Sequence, residues 1–224
     1  ETVARDLLIV KPTVMTAVPR VYEKLYARVM EKGAASSGLR RALFQWAVRL
    51  AEERGRALPA AGLPARTLDG LAAKVADKLV FSKVRDAVGG RIRFLVSGSA
   101  PLPAHIGQFF YGCGLTIMEG YGLTETSPVL TVTPMHAVRF GAVGKAIPGV
   151  DIRIADDGEI VVRGPNIMQG YYNKPADTTD VLRDGWFHTG DVGSIDADGY
   201  LHITDRKKDL IVTAGGKKIA PQPL

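Results

Sequence analysis

The sequence predicts an α/β protein whose second half is antiparallel β. Two short apolar runs, 92–96 and 115–118, flank a helical segment at 103–111, which is the pattern of a strand, crossover helix and strand in a parallel sheet. From about Gly144 onward the helical period disappears, and short β-patterned runs alternate with turn sequences rich in Asp and Gly. The part before the first apolar run has the period of helices instead.

Helical periodicity dominates the beginning of the chain. Residues 1–14 have the pattern of a helix already under way. The stretch 19–33 places apolar residues four apart, starts with proline and ends with glycine, which predicts an amphipathic helix. Further helices are predicted over 39–54 and 68–79, and the Pro/Gly/Ala-rich stretch 56–65 between them predicts a loop.

Two hairpins are predicted in the second half. One has strands at 150–154 and 159–163 around an Asp-Asp-Gly turn, and the other has strands at 192–195 and 200–204 around the turn 196–199. Antiparallel strands of this length are typical of a small barrel or sandwich. The patterns divide the chain into an α/β part at 1–135, an antiparallel β part at 136–204 and a final segment at 205–224.

Composition and charge restrict the functional classes. The chain has 224 residues, of which 46% are hydrophobic and 23% charged, as in an ordinary globular protein. The net charge of +6 arises in residues 1–93, which carry 18 basic and 9 acidic side chains, whereas residues 94–224 carry 11 and 14. These basic residues are interleaved with acidic ones and lack aromatic stacking platforms, which argues against nucleic acid. A solvated surface and a peripheral membrane contact for lipid substrates both stay open.

The single cysteine, Cys113, indicates the compartment. One cysteine forms no internal disulfide and builds no zinc site alone, so we expect a reducing, cytoplasmic environment and a small buried side chain. No uninterrupted apolar run reaches the roughly 18 residues of a membrane span, and the N-terminus lacks the order of a signal peptide. The chain also starts and stops abruptly, from which we expect a fragment.

Three clusters carry polar chemistry. Residues 121–126 (YGLTET) follow a buried strand and combine glycines, an aromatic face, a hydroxyl and a carboxylate, whose oxygens suit Mg²⁺. Residues 185–191 (GWFHTGD) end in a carboxylate beside glycine, placed to accept ribose hydroxyls, and residues 205–210 (DRKKDL) interrupt a β pattern with mixed charges. Taken singly, each cluster also has a structural alternative: a turn at 121–126, an Asp that caps local amides at 185–191, and a solvated loop or linker at 205–210.

In order and wording, the clusters resemble the adenylate-forming family, which comprises acyl-CoA synthetases, luciferases and peptide-synthetase adenylation domains. YGLTET resembles its magnesium and adenylate motif, and 185–209 resembles the ribose and hinge motifs of long-chain fatty acyl-CoA ligases in particular. SGSAPL at 97–102 resembles the turn of the adenine pocket, and AVPRVYEKL at 17–25 resembles the segment that opens the acyl-pocket region. The resemblance implies part of the large N-terminal domain, a parallel-sheet α/β subdomain followed by a β-barrel-like subdomain.

The resemblance also implies roles for single residues. The adenine pocket would be lined by Gly98, Ser99, Ala100 and Pro101, with Glu119 and Gly120 at its floor, Tyr121 stacked on the base and Gly122 beside the nucleotide. The catalytic residues would be Thr124, which touches the phosphate, and Glu125, which holds Mg²⁺. Asp191 would bind the ribose hydroxyls with help from Arg206, and Lys208 would be the hinge of a C-terminal domain.

The implied reaction joins a long-chain fatty acid to coenzyme A through acyl-AMP, with ATP consumed and Mg²⁺ required. The family's phosphate loop would lie upstream of residue 1 and most of its C-terminal domain after Asp209, so the 224 residues alone are expected to be inactive. Two alternatives stay open: an acyl-AMP ligase that loads a carrier protein, and a non-catalytic nucleotide-binding module. The sequence does not define the oligomeric state.

Overall fold

The chain begins with helices and ends with strands, as its hydropathy pattern predicts. The computed structural model describes residues 2–61, 70–208, 211–212 and 218–219. The helices are α1 (Val3–Val10), α2 (Pro19–Ala34), α3 (Gly38–Ala61), α4 (Leu71–Ala76), α5 (Ser82–Asp86), α6 (Ala104–Gly112) and α7 (Pro175–Val181). The strands are β1 (Val14–Ala17), β2 (Phe94–Ser97), β3 (Ile117–Tyr121), β4 (Thr131–Val132), β5 (Lys145–Ala146), β6 (Asp151–Ile154), β7 (Glu159–Arg163), β8 (Leu182–Arg183), β9 (Trp186–Ile195), β10 (Leu201–Arg206), β11 (Ile211–Val212) and β12 (Lys218–Ile219).

The chain forms two compact units. Unit 1 comprises Glu1–Glu119 and Pro134–Gly141, and unit 2 comprises Gly120–Thr133 and Ala142–Leu224. The change of unit lies inside β3 and not at residue 135, where the sequence analysis places it. The reason is that the last two residues of β3 pair with β4, whereas its first three pair with β2.

Unit 1 contains the strand, helix and strand arrangement predicted around 92–118. β2 pairs in parallel with β3, and α6 is the connection between them. β1 pairs in parallel with the other side of β2, from Val14 opposite Phe94 to Ala17 opposite Ser97. β1 was not predicted from the sequence, because four residues that alternate between exposed and half-buried give a weak signal.

Glycines bring two helices of unit 1 into backbone contact. A Cβ at Gly112 of α6 would collide with the carbonyl of Ala51 in α3, and a Cβ at Gly55 of α3 would collide with the backbone of Gln108 in α6. These helices enclose a core that includes Phe109 and the buried Cys113. The prediction that this cysteine is a buried side chain is confirmed, and its burial raises the pKa of the thiol.

The predicted loop at 56–65 is wrong as far as the structure describes it. α3 continues through Arg56, Ala57 and Leu58 to Ala61, well beyond the predicted end at Arg54. Arg, Ala and Leu are strong helix formers, and the contact of Gly55 with α6 supports the helix at this point. Residues 62–69 lie outside the described residues.

The helix predicted over 68–79 is longer and less regular than its sequence indicates. From Leu71 the chain forms α4, a π-helical turn at Asp77–Phe81, and α5, which ends at Asp86. Phe81 and Val84 are buried in the core of unit 1, so tertiary packing extends the helix beyond its predicted end. The helix predicted over 19–33 is confirmed as α2.

Unit 2 contains both predicted hairpins. β6 pairs with β7 and β9 with β10, and these strands form an antiparallel sheet in the order β10, β9, β7, β6. Gly158 and Gly199 end the two turns with positive φ, which their lack of a Cβ permits. β8 pairs with β9, and the end of β3 pairs with β4, which pairs with β5.

One helix in this half contradicts the expectation that the helical period ends near Gly144. α7 begins with Pro175, a favourable residue in the first turn of a helix, and is too short to give a periodic signal. In the final segment predicted at 205–224, β11 pairs with β12, and the remaining residues after Lys208 lie outside the described ones. Over the part of the chain that the structure describes, no helix combines the length and hydrophobicity of a membrane span.

Candidate active site

A strained turn follows β2 in unit 1. It lies at the carboxyl end of a parallel strand, the position at which α/β sheets commonly bind ligands. Its residues are those predicted for an adenine pocket, Gly98, Ser99, Ala100 and Pro101. Ser99 has φ of 71°, an unfavourable value for a residue with a side chain, and Gly98 donates a backbone hydrogen bond to Ala17 over 3.4 Å. The last three residues of the turn are exposed, so this turn offers backbone and a hydroxyl to a ligand.

Glu119 lies buried at the end of the unit 1 part of β3. Its Oε2 accepts a hydrogen bond from the backbone N–H of Leu102, 3.3 Å away, and the carboxyl also bonds to the backbone of Gly141. Burial raises the pKa of Glu119 to about 7, although both backbone hydrogen bonds oppose the rise. Glu119 therefore connects β3 to the residue that directly follows Pro101, and its role as the floor of an adenine pocket stays a prediction.

Asp191 in unit 2 is bonded on both carboxylate oxygens. The hydroxyl of Tyr121 donates to Oδ2 over 2.7 Å, and Nε of Arg206 donates to Oδ1 over 3.1 Å. Asp191 is 4% exposed, whereas the Arg206 side chain is 67% exposed. The structure thus brings together three residues that the sequence analysis assigns to nucleotide binding.

The sheet of unit 2 determines the position of Asp191. Asp191 and Arg206 are register partners in the antiparallel pair β9 and β10. On the other side of β9, the register with β7 shifts between Glu159 and Val161, and Gly190 takes a φ of 74° within this bulge. Bulges reorient side chains that regular alternation would place on the other face, and this one lies directly before Asp191.

A second buried carboxylate, Glu159, lies beside this bulge. Oε2 bonds to Nδ1 of His188 over 2.9 Å and to Nζ of Lys207 over 2.8 Å, and Oε1 accepts from the N–H of Gly190 over 2.9 Å. Burial acts to raise the pKa of Glu159, but the hydrogen bonds from Lys207, His188 and Gly190 outweigh it and hold the pKa below its ordinary value. Lys207 also pairs with Asp157, which raises the pKa of the lysine.

Glu125 lies in the short 3-10 turn Thr124–Thr126 of unit 2. The hydroxyl of Tyr171 donates to its Oε1 over 2.9 Å. Thr124 beside it is exposed, and Gly122 is required because a Cβ there would collide with the carbonyl of Pro128. Burial first, and then the bond to the carboxylate, raise the pKa of Tyr171.

The donor set at Glu125 fits a magnesium ion that shares its coordination with other ligands. Within the described residues, no group of three or more His, Cys, Asp or Glu side chains could hold a metal ion by itself. Mg²⁺ is commonly held by one or two carboxylates together with waters and the phosphates of a substrate. Glu125 is half-buried and its Oε2 has no hydrogen bond to a described residue, so this oxygen is a suitable ligand of that kind.

Two functional candidates were not predicted from the sequence, and the roles given to the predicted site residues stay predictions. Tyr171 and Glu159 lie outside the three clusters and reach them only through the fold. Tyr171 follows Gly170 in a loop, and only its aromatic type next to a proline-initiated helix could have drawn attention. Lys208 is exposed in the turn after β10, and its role as a hinge stays a prediction.

The α/β fold is that of the adenylate-forming class, as two solved structures show. ATP-bound MatB from Rhodopseudomonas palustris superposes with a TM-score of 0.64 at 31% identity, over 97% of this chain and 35% of MatB. O-succinylbenzoate coenzyme A synthetase (MenE) from Bacillus subtilis, in complex with ATP and magnesium ion, superposes with a TM-score of 0.54 at 31% identity, over 58% of this chain and 30% of MenE.

Sequence comparison gives the family. Residues 1–172 match the AMP-binding enzymes, and the chain belongs to that family. Long-chain-fatty-acid–CoA ligase FadD15 of Mycobacterium tuberculosis is 47% identical over 97% of this chain and 36% of its own length. Human long-chain-fatty-acid–CoA ligase ACSBG1 is 37% identical over 96% of this chain and 30% of its own length. The chain therefore spans about a third of the relatives that it matches.

Proposed function

We propose that this chain is the nucleotide-binding part of an AMP-forming long-chain fatty-acid–CoA ligase. The observation that carries the proposal is the buried Asp191, bonded to Tyr121 and Arg206, in a member of the AMP-binding family. Identities of 37% to 47% with long-chain-fatty-acid–CoA ligases support the choice of substrate. ATP, a long-chain fatty acid and coenzyme A are then the substrates of the full-length protein.

In this proposal Asp191 binds the ribose of ATP. A carboxylate has about four lone-pair sites, so Asp191 can accept two ribose hydroxyls while Tyr121 and Arg206 stay bonded. These two partners fix the carboxylate before the nucleotide arrives, which lowers the cost of ordering it on binding. The turn at 98–101 and Glu119 are assigned to the adenine base, as the family resemblance implies.

The chemistry has two steps. The fatty-acid carboxylate attacks the α-phosphorus of ATP and pyrophosphate leaves, which gives acyl-AMP. The thiol of coenzyme A then attacks the acyl carbonyl, and AMP leaves with the electrons of the broken C–O bond. Glu125 would hold Mg²⁺, which supplies charge neutralisation at the phosphates, and Thr124 would hydrogen-bond a phosphate oxygen.

The first test is pyrophosphate release by the full-length protein that carries this chain. We expect release that depends on ATP, Mg²⁺ and a long-chain fatty acid such as palmitate, with palmitoyl-CoA formed when coenzyme A is added. Binding of ATP without pyrophosphate release would overturn the ligase and leave a non-catalytic nucleotide-binding module. Pyrophosphate release with acyl transfer only to a carrier protein would replace the CoA ligase by an acyl-AMP ligase.

A further inference from the structure

Tyr171 connects the loop before α7 to the turn of Glu125. Its hydroxyl donates to Oε1 of Glu125 over 2.9 Å, and the two residues are 46 positions apart in the sequence. Its neighbour Tyr172 is 90% exposed. Two adjacent tyrosines in one loop therefore differ in whether they reach the candidate metal ligand.

The same loop also holds the backbone around Glu125. The N–H of Met168 donates to the carbonyl of Glu125 over 2.8 Å. The Asn166 amide donates to the carbonyls of Thr126 and Val129 over 2.8 and 2.9 Å. These bonds fix the main chain of the turn. The bond from Tyr171 differs from them, because it restrains the side-chain carboxylate of Glu125.

Tyr171 is in turn fixed by the first turn of α7. Its backbone N–H donates to Oγ1 of Thr178 over 2.9 Å, and that hydroxyl donates to the carbonyl of Lys174 over 2.8 Å. A Cβ at Gly170 would come within 2.8 Å of the Thr178 side chain, so glycine permits this close approach. The backbone of Tyr171 is thus held by α7, through hydrogen bonds that do not involve the Glu125 turn.

We propose that Tyr171 is a positioning residue that orients the Glu125 carboxylate for a divalent cation. The terminal torsion of a glutamate is soft, and a hydrogen bond to Oε1 selects one orientation. Oε2 then stays available as the metal ligand. This inference rests on the proposed role of Glu125 in binding Mg²⁺.

The test compares Tyr171→Phe with Tyr172→Phe in the full-length protein. Mn²⁺ replaces Mg²⁺ as a spectroscopic probe, and its binding is measured by electron paramagnetic resonance in the presence of a non-hydrolysable ATP analogue. Loss of an outer hydrogen bond to a metal ligand commonly weakens metal affinity about 10- to 100-fold. We expect a loss of at least about 10-fold for Tyr171→Phe, no change for Tyr172→Phe and unchanged thermal midpoints for both.

Glu125→Gln separates the inference from the proposed function. If Glu125→Gln leaves Mn²⁺ binding unchanged, the metal role of Glu125 fails and the inference fails with it. If Glu125→Gln weakens binding while Tyr171→Phe behaves like the wild type, only the inference fails. In the double variant we expect no further loss beyond that of Glu125→Gln, and an additive loss would show that Tyr171 acts by another route.

Discussion

Asp191 and Glu125, the two carboxylates assigned to the nucleotide, are held in opposite ways. Asp191 lies on a long strand, is 4% exposed and has a hydrogen bond on each oxygen. Glu125 lies in a three-residue turn, is half-buried and has one oxygen bonded to Tyr171. Both carboxylate oxygens of Asp191, the residue assigned to the ribose, are thus hydrogen-bonded before the ligand arrives. Glu125, the residue assigned to the metal, keeps one oxygen without a partner among the described residues.

From this difference we predict which of the two carboxylates contributes to the stability of the fold as well as to function. Removal of Asp191 leaves the partly buried hydroxyl of Tyr121 without its acceptor, so stability and nucleotide binding should fall together. Removal of Glu125 leaves behind one half-buried tyrosine hydroxyl, so its effect should be confined to the reaction. The following substitutions test this contrast.

The largest effect is expected for Glu125→Ala in the full-length protein. Loss of a preorganised electrostatic group at a reacting phosphate lowers the rate on the order of 10²-fold or more. The free energy of unfolding should change by no more than about 1 kcal/mol, because Glu125 is not deeply buried. Pyrophosphate release and thermal melting check both, with Asp156→Asn as a control at an exposed carboxylate. An equal loss of rate in the control would remove the contrast.

Asp191→Ala should affect binding and stability together. A carboxylate that accepts two hydroxyls contributes about 1.5 to 3 kcal/mol, which corresponds to a roughly 10- to 150-fold weaker ATP affinity. The loss of the acceptor of Tyr121 should lower the free energy of unfolding by about 1 to 3 kcal/mol. Calorimetric titration with ATP and denaturant unfolding measure the two quantities. Unchanged ATP affinity would contradict the ribose role, even if stability falls.

Glu119 extends the contrast to a buried carboxylate of unit 1. Its pKa is raised from 4.5 to about 7, so between these pH values the folded state keeps a proton that the unfolded state releases. The free energy of unfolding should therefore fall as the pH rises from 4.5 to 7, by at most about 3 kcal/mol. Thermal midpoints from pH 5 to 8 should show this decline in the wild type and a weaker one in Glu119→Gln. Parallel curves for the two proteins would exclude Glu119 as its source.

The smallest effect is expected for Lys207→Met, next to Arg206. Lys207 is 36% exposed, and solvent weakens its pair with the exposed Asp157. Its other partner, the buried Glu159, keeps its bonds to His188 and Gly190 when the lysine is removed. We expect a loss of about 0.5 to 1 kcal/mol in the free energy of unfolding, smaller at high salt, with ATP affinity unchanged. A large drop in ATP affinity would mean that Lys207 contributes to the ribose site as well as Asp191 and Arg206.

Local signals in the sequence were sufficient for much of this fold. The Asp and Gly residues of the turns at 156–158 and 196–199 predicted both hairpins, because turn chemistry acts over a few residues. The apolar runs at 92–96 and 115–118 predicted β2 and β3, each displaced by about two residues. The loop prediction at 56–65 was wrong because the contact between Gly55 and α6 is not local.

The sequence indicated most of the candidate site residues, but not the hydrogen bonds that join them. Tyr121, Asp191 and Arg206 were each named from motifs, yet the bonds between them join positions up to 70 residues apart. Tyr171 carries no motif, and its relation to Glu125 exists only once α7 places it. Pairings of this kind depend on strand register and loop closure, which no single stretch of sequence encodes.

The buried cysteine of unit 1 gives the protein a native reporter of its own opening. Cys113 is fully covered at the end of α6, and its raised pKa keeps the sulfur as an unreactive thiol. An alkylating reagent can therefore modify it only when the core around α6 transiently separates. The rate of modification, followed by mass spectrometry of the peptide that contains Cys113, would measure how often this core opens under native conditions.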